Sequence, residues 1–329
     1  MCADITRSPD KHTRFRALLH MCRDLAPVRM AVVHPCDALS LQGAWESARA
    51  GLIDPVLVGP RSRIQNLARA MGWDLKNVEI VSAPHSHAAV DAAAALVGMR
   101  RVAALMKGSL HTSELMRGLL GAEAGLRTDR MASHAFAIDV PGYAHPLIVS
   151  DAALNIQPAL DAKRDICQNA ILLAHTLGIV EPRVAVLAAI ETVHENMQAT
   201  IDAAALSKMA ERGQLAGAVV DGPLAMDNAL SQAARRGKRI RSSVAGRANV
   251  LIVPNIEAGN ILVKQLVLLA DAIAAGVVLG LRVPVALTSR ADDVRARVAS
   301  VAMARLLVAH PEPETLAMLR SAREAQPMA

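Results

Sequence analysis

The sequence predicts an α/β protein with mostly parallel sheets flanked by helices, and three observations predict it. Short apolar runs rich in Val and Ile recur through the 329 residues. The runs are continuously apolar rather than alternating, as strands covered on both faces are. Between them lie longer alanine-rich stretches with helical spacing, and strand alternating with helix is the signature of βαβ units. In chain order the runs are 28–35, 54–60, 78–83, 101–108, 145–151, 182–190, 217–223, 248–255 and 283–290, each too short for a helix. The helical stretches include 39–51, 63–72, 85–99 and 200–213. The segment from Asp129 to about Gly276 carries its own strands and helices, so it reads as a second sheet inserted into the first domain. The length itself suits about two domains.

Composition removes several classes of function. The chain is 53% hydrophobic and 20% charged, which excludes a disordered protein. Its aromatic residues, Trp45, Trp73, Phe15, Phe136 and Tyr143, are scattered, so no platform for stacking nucleic-acid bases is expected. The net charge of +6 favours anionic ligands. A nucleic-acid protein would concentrate that charge in a patch. The densest basic run, Arg235, Arg236, Lys238, Arg239, Arg241 and Arg247, is read instead as solvating a helix end and the turn after it. The cysteines Cys2, Cys22, Cys36 and Cys167 show neither C-x-x-C nor zinc-ligand spacing, which fits free thiols in a reducing cytoplasm and predicts no metal. The N-terminus is polar, without the apolar stretch of a signal peptide. The most apolar segment, Ile261 to Leu281, contains Lys264 and Asp271, which breaks the run a membrane span needs. A cytoplasmic protein without a membrane partner is expected.

In parallel α/β sheets, ligands bind beyond the carboxyl ends of the strands. Three strand-to-helix junctions therefore attract attention. In the first (105–127) a strand ends at Lys107-Gly108, and Thr112 or Ser113 is placed to cap the next helix. The amides and dipole of that helix start suit an anion. Lys107 and Arg117 add positive charge, and arginine's planar fork matches phosphate. In the second (251–266) a strand stops at Pro254 and a helix begins near Glu257 to Asn260. Gly259 permits close backbone approach, Asn260 both donates and accepts, and Lys264 lies one turn inside. Neither a Walker ending nor a G-x-G-x-x-G fingerprint is present. In the third (283–300) Ser289 and Arg290 end a strand, and Asp292 or Asp293 opens a helix, where an acidic residue is also ordinary capping. No G-x-S-x-G surrounds Ser289, which disfavours a hydrolase nucleophile. Asp151 and Asn155 form another polar turn, with Pro158 expected at the first helical position.

Read together, several segments resemble the phosphate acetyl/butyryltransferase family. They are MKGSLHTSELMR (106–117), NIQP (155–158), ENMQATIDAAALSKMAERGQ (195–214), DGPLAMDNALS (221–231), SSVAGRANVLIVPNIEAGNILVKQL (242–266) and VPVALTSRADD (283–293). They run in the family's order over about residues 29 to 305, and DGPLAMDNA and SRAD lean toward the butyryl-type branch.

The resemblance implies a two-domain fold like that of isocitrate and isopropylmalate dehydrogenases. The first domain would be 1–130 plus 277–329 and the second 131–276, with the active site in the cleft between them and a homodimer as the assembly. The implied reaction is acyl-CoA + phosphate ⇌ acyl phosphate + CoA, with CoA as a substrate, no cofactor, no metal and no acyl-enzyme. Ser289 and Arg290 match the family's serine and arginine, Arg117 its substrate-binding arginine, and Gly259 and Asn260 its G-N pair. Lys107, Thr112 and Lys264 complete the expected substrate-binding set. One departure stands out. Acetyl-type members carry an aspartate seven residues after the motif serine, proposed as the base for the CoA thiol, and here that place is Ala296. Asp292 and Asp293 remain as candidates for the base. Two other readings compete. A metal-dependent hydroxy-acid dehydrogenase needs a carboxylate cluster and a Lys/Tyr pair, yet Tyr143 is the sole tyrosine and sits in a turn-like VPGYAHP. A non-catalytic CoA- or phospholigand-binding protein is suggested by Ala296.

Overall fold

The computed structural model describes residues 12–143, 145–290 and 292–311. The elements in chain order are α1 (Thr13–Met21), β1 (Val28–Val33), α2 (Ala38–Arg49), β2 (Ile53–Gly59), α3 (Arg61–Ala70), β3 (Glu79–Ser82), α4 (Ser86–Gly98), β4 (Ala104–Lys107) and α5 (Thr112–Leu119). A short 3-10 turn precedes β5 (Ser133–Asp139), β6 (Leu147–Ser150), α6 (Leu160–Thr176), β7 (Arg183–Leu187), α7 (Gln198–Glu211), β8 (Val219–Leu224), α8 (Met226–Leu230) and α9 (Gln232–Gly237). The chain then forms β9 (Val250–Ile252), α10 (Ile256–Leu269), β10 (Ile273–Leu279), β11 (Val285–Ala286) and α11 (Val294–Ala309). Every predicted run overlaps a strand, while β5 and β10 are additional. The part of the predicted first domain beyond residue 311 lies outside the described residues, as does Cys2.

Among the described residues the chain divides into two compact units, 12–130 with 275–309, and 131–274 with 310–311. In the first, the strand order is β3-β2-β1-β4-β11-β10. All neighbours are parallel except β11 with β10. The core strand β1 buries Met30, Ala31, Val32 and Val33 completely, as its unbroken apolarity requires. Val33 is in register with both Val58 and Lys107, and Met106 with Ala286, so the carboxyl ends of β1, β4 and β11 lie side by side. A Cβ on Gly108 would stand 2.3 Å from the Val33 carbonyl oxygen. Only glycine lets β4 leave the sheet that close to β1. Behind these ends α11 packs on α2, β4 and β11.

The second unit has the order β5-β6-β9-β7-β8, antiparallel at β5–β6 and parallel elsewhere. Its core gathers Ile138, Leu147, Val149, Leu187, Leu224, Leu251 and Val253. Helices α6 and α7 are tied by a buried ion pair, Lys163 Nζ to Asp202 Oδ2 at 2.7 Å, and Gln198 donates to the other carboxylate oxygen at 2.8 Å. The basic run closes α9 as expected, with Arg235 and Arg236 in its last turn and Lys238 reaching Glu191 at 3.1 Å and Asp227 at 3.2 Å. Cys22, Cys36 and Cys167 are free and buried, small apolar residues in effect.

Three local expectations are corrected. Thr112 is the first residue of α5, and the cap position belongs to His111, which forms no side-chain cap bond. Asn255 caps α10 by accepting from the Ala258 N–H at 3.0 Å, so the helix opens at Ile256 and Lys264 stands roughly two turns inside it. Pro158 precedes α6, whose cap is Ala159, instead of opening it.

Candidate active site

The structure brings the first and third junctions together, because β4 and β11 are parallel neighbours. At their carboxyl ends Lys107 Nζ donates to the Thr288 carbonyl at 3.1 Å, and Arg290 Nη2 stands 3.5 Å from His111 Nδ1. Ser289 and Arg290 are exposed on the turn that follows β11. The Ser289 N–H donates to Asp292 Oδ2 at 2.6 Å. The adjacent acid is engaged elsewhere, since Asp293 Oδ1 accepts from the Ala296 N–H at 2.8 Å and so caps α11. Ala296, seven residues after Ser289, is buried in the first turn of that helix.

Beneath the turn lie two buried cations. Lys107 is 2% exposed and Arg297 1%. Arg297 donates to the Thr288 hydroxyl at 3.1 Å and to the carbonyls of Ser289 at 3.0 Å, Arg290 at 3.4 Å and Asp292 at 3.3 Å. Burial pushes Lys107 down to about 8, helped by the positive charges of Arg297 and Arg290. Burial pushes the Asp292 carboxyl above its ordinary range, although the Ser289 N–H and Arg297 pull the other way. Asp37, the cap of α2, accepts from the Ser40 N–H at 2.7 Å. Burial raises its pKa, but hydrogen bonds from Ser40 and Ser109 and the charge of Arg297 bring it below the ordinary value.

Sequence reasoning missed Arg297, Asp37 and Thr288. Asp37 had a visible signal, an acid between strand and helix with Ser40 three residues on. Arg117 is exposed in the last turn of α5 and makes no hydrogen bond or ion pair among the described residues. Thr112 is half-buried at the start of the same helix.

The remaining candidates belong to the second unit. A Cβ on Gly259 would lie 2.8 Å from Val253 Cγ2 and 2.9 Å from Ala152 Cα, so the glycine serves close packing of α10 on the loop after β6. Asn260 Nδ2 donates to the Ala152 carbonyl at 3.3 Å, and Lys264 is exposed. In that loop Asp151 accepts from the N–H groups of Ala153 and Leu154 at 3.0 Å and from Asn155 Nδ2 at 2.6 Å. Among the described residues no group of three or more His, Cys, Asp or Glu is placed to hold a metal ion, and no helix is long and apolar enough to cross a membrane.

Comparisons with known proteins place the chain in a family. Residues 85–305 match the family model described as "Phosphate acetyl/butaryl transferase". The chain is 54% identical over 92% of its length to a phosphate acetyltransferase of Rhizobium meliloti, covering 96% of that protein. It is 38% identical over 90% of its length to a phosphate butyryltransferase of Clostridium beijerinckii, covering 98% of that protein. Among solved structures, a branched-chain phosphotransacylase from Enterococcus faecalis V583 superimposes with a TM-score of 0.72 at 26% identity, over 85% of this chain and 99% of that one. The fold alone is shared with a 4-hydroxythreonine-4-phosphate dehydrogenase from Klebsiella pneumoniae, TM-score 0.52 at 13% identity, over 86% of this chain and 98% of that one. With most of its length matched by the family model and a relative of 54% identity spanned almost end to end, the chain belongs to the phosphate acetyl/butyryl transferase family and is a transferase.

Proposed function

We propose that the chain catalyses acyl-CoA + phosphate ⇌ acyl phosphate + CoA, in the cytoplasm and as a homodimer, with the turn at 288–292 as its reaction centre. The observation that carries the reading is the exposed Ser289-Arg290 pair beside Asp292 and above the buried charges of Lys107 and Arg297. In the forward direction a phosphate oxygen attacks the thioester carbon, and the C=O pair moves onto oxygen. Collapse re-forms C=O and breaks the C–S bond, and the pair leaves on sulfur. Arg290 is the group for phosphate, since its fork donates two parallel hydrogen bonds. The Ser289 hydroxyl is a donor for the oxyanion. In the reverse direction Asp292 takes the thiol proton of CoA. Lys107 adds positive potential from below, and Arg117, Thr112 and the start of α5 extend the anion-binding surface. Gly259, Asn260 and Lys264 keep a role in substrate binding in this reading, the glycine through packing. The higher identity to an acetyltransferase than to a butyryltransferase favours acetyl as the group transferred. Dimerisation is supported by α10, whose Ile261, Leu268 and Leu269 are 65%, 78% and 80% exposed.

The test is thiol release from acetyl-, propionyl- and butyryl-CoA with phosphate. Activity is expected to survive EDTA, since the proposed step uses only side chains and amides; loss restored by Mg²⁺ would contradict that. Arg290→Ala is expected to lower kcat/KM for phosphate roughly thirtyfold or more, the consequence of removing a charged hydrogen-bond partner worth about 2 kcal/mol. Lys at that position should restore only part, lacking the fork. Near-parent kinetics in Arg290→Ala would remove the residue from the site. The KM for phosphate should also rise as pH passes about 8, where Lys107 loses its charge. Lys107→Met should start from the higher KM and lack that step, and a step of equal size in the variant would assign it elsewhere.

A further inference from the structure

Arg297 is among the largest fully buried side chains of the protein, and it stands in the first turn of α11. Both features are unfavourable for a cation, since the helix dipole repels it there and burial strips its water. Its stem fits because residue 43 of α2 is glycine. A Cβ there would lie 2.9 Å from Arg297 Cδ and 3.0 Å from Arg297 Cβ. A glycine in mid-helix weakens the helix, so the fold carries three local disadvantages to place one guanidinium.

What the guanidinium does is narrow. All four of its hydrogen bonds among the described residues go to acceptors in residues 288–292, and three of those acceptors are backbone carbonyls. In a trans peptide the N–H points opposite to the C=O. The peptide joining Ser289 to Arg290 is trans, so drawing the Ser289 carbonyl onto Arg297 turns the Arg290 N–H away from it. That N–H has no protein partner among the described residues.

We infer that Arg297 is a positioning residue for acyl transfer, which holds the carbonyls of the turn from below and thereby presents the Arg290 N–H, beside the Ser289 hydroxyl, as a donor to the oxyanion of the tetrahedral intermediate. The inference rests on the acyltransferase reading. When phosphate oxygen bonds to the thioester carbon, the carbonyl oxygen gains the displaced electron pair, and the N–H donates to it. When C=O re-forms and the C–S pair leaves on sulfur, the donor returns to the next substrate unchanged. A template fixed before the reaction begins needs no reorganisation as the charge appears, which is why such donors act on turnover more than on binding.

The test compares Arg297→Lys, Arg297→Ala and parent, with thermal unfolding measured on each. Arg297→Lys keeps the charge and the stem but lacks the fork. It should lower kcat by about 10²-fold while the KM values for acyl-CoA and phosphate stay within about threefold. Arg297→Ala should lose at least as much, and added guanidinium ion at low concentration should restore part of kcat where ammonium ion at the same concentration does not. Parent-like kcat in Arg297→Lys, or folded Arg297→Ala that guanidinium does not rescue, would overturn the inference. If neither variant folds, Thr288→Val decides. It leaves the arginine in place, removes one acceptor, and should lower kcat about tenfold at unchanged KM, whereas parent-like kcat would overturn the inference. A folded parent without turnover would instead overturn the acyltransferase reading, and this inference with it.

Discussion

Asp292→Asn is expected to lower turnover of acyl phosphate and CoA by about 10²–10⁴-fold at pH 7, the usual consequence of losing a general base. The geometry separates two carboxylates that are neighbours in sequence. Asp293 is engaged as the cap of α11, while Asp292 is turned back to the Ser289 N–H. Burial raises the Asp292 pKa above its ordinary value, which makes the carboxylate a better proton acceptor than an exposed aspartate. The direction of the shift fixes the pH dependence. The parent should lose activity as pH falls through the raised pKa, because the protonated acid cannot accept the thiol proton. The defect of Asp292→Asn should shrink as pH rises toward about 8.5, where CoA is increasingly thiolate without help. The same shift concerns stability. A carboxyl whose folded-state pKa is raised destabilises the native state when ionised, and that penalty vanishes as pH falls below its unfolded value. Asp292→Asn should therefore unfold at or above the parent's temperature at pH 7 while being nearly inactive. Parent-like turnover from pH 6 to 9 would remove Asp292 as the base, and an equally slow Asp293→Asn that still folds would undo the division of roles.

The second large effect is on stability, in the other unit. Asp202→Asn should destabilise the protein by about 3–5 kcal/mol, since it leaves the Lys163 charge buried without its partner. Both side chains of the pair are 4% exposed. The pair joins α6 to α7, with Gln198 holding the second carboxylate oxygen. Removing both charges together, as in Lys163→Met with Asp202→Leu, should recover most of the loss, because the desolvation cost of two ions disappears with their attraction. Urea unfolding of the single and double variants measures this. A double variant no more stable than Asp202→Asn would show that the pair does more than compensate its own burial.

Much of the fold was legible in the sequence because buried parallel strands leave continuous Val- and Ile-rich runs, as β1, β2 and β7 do. Two strands escaped for physical reasons. β10 follows α10 within one apolar stretch, and only Asp271, at φ +52°, marks the change from helix to strand. β5 reads SHAFAID, with its polar residues Ser133, His134 and Asp139 buried, so hydropathy does not report it. The site was legible in its parts and not in its assembly. Ser289, Arg290, Lys107 and Asp292 could be named from their junctions, but the junctions meet only because β4 pairs with β11, a long-range contact no local pattern encodes. Arg297 was invisible beside Arg295 in a charged helix start. Every residue of α11 from Ala296 to Leu307 is buried, so no amphipathic face set the arginine apart.

The most direct measurement is steady-state turnover of acetyl-CoA with inorganic phosphate, following free thiol and acetyl phosphate together in parent, Arg290→Ala and Asp292→Asn. Acyl transfer at the 288–292 turn predicts equal amounts of thiol and acetyl phosphate from the parent, no thiol without phosphate, and strong loss in both variants. Thiol released without acetyl phosphate, or stoichiometric transfer undiminished in both variants, would contradict it.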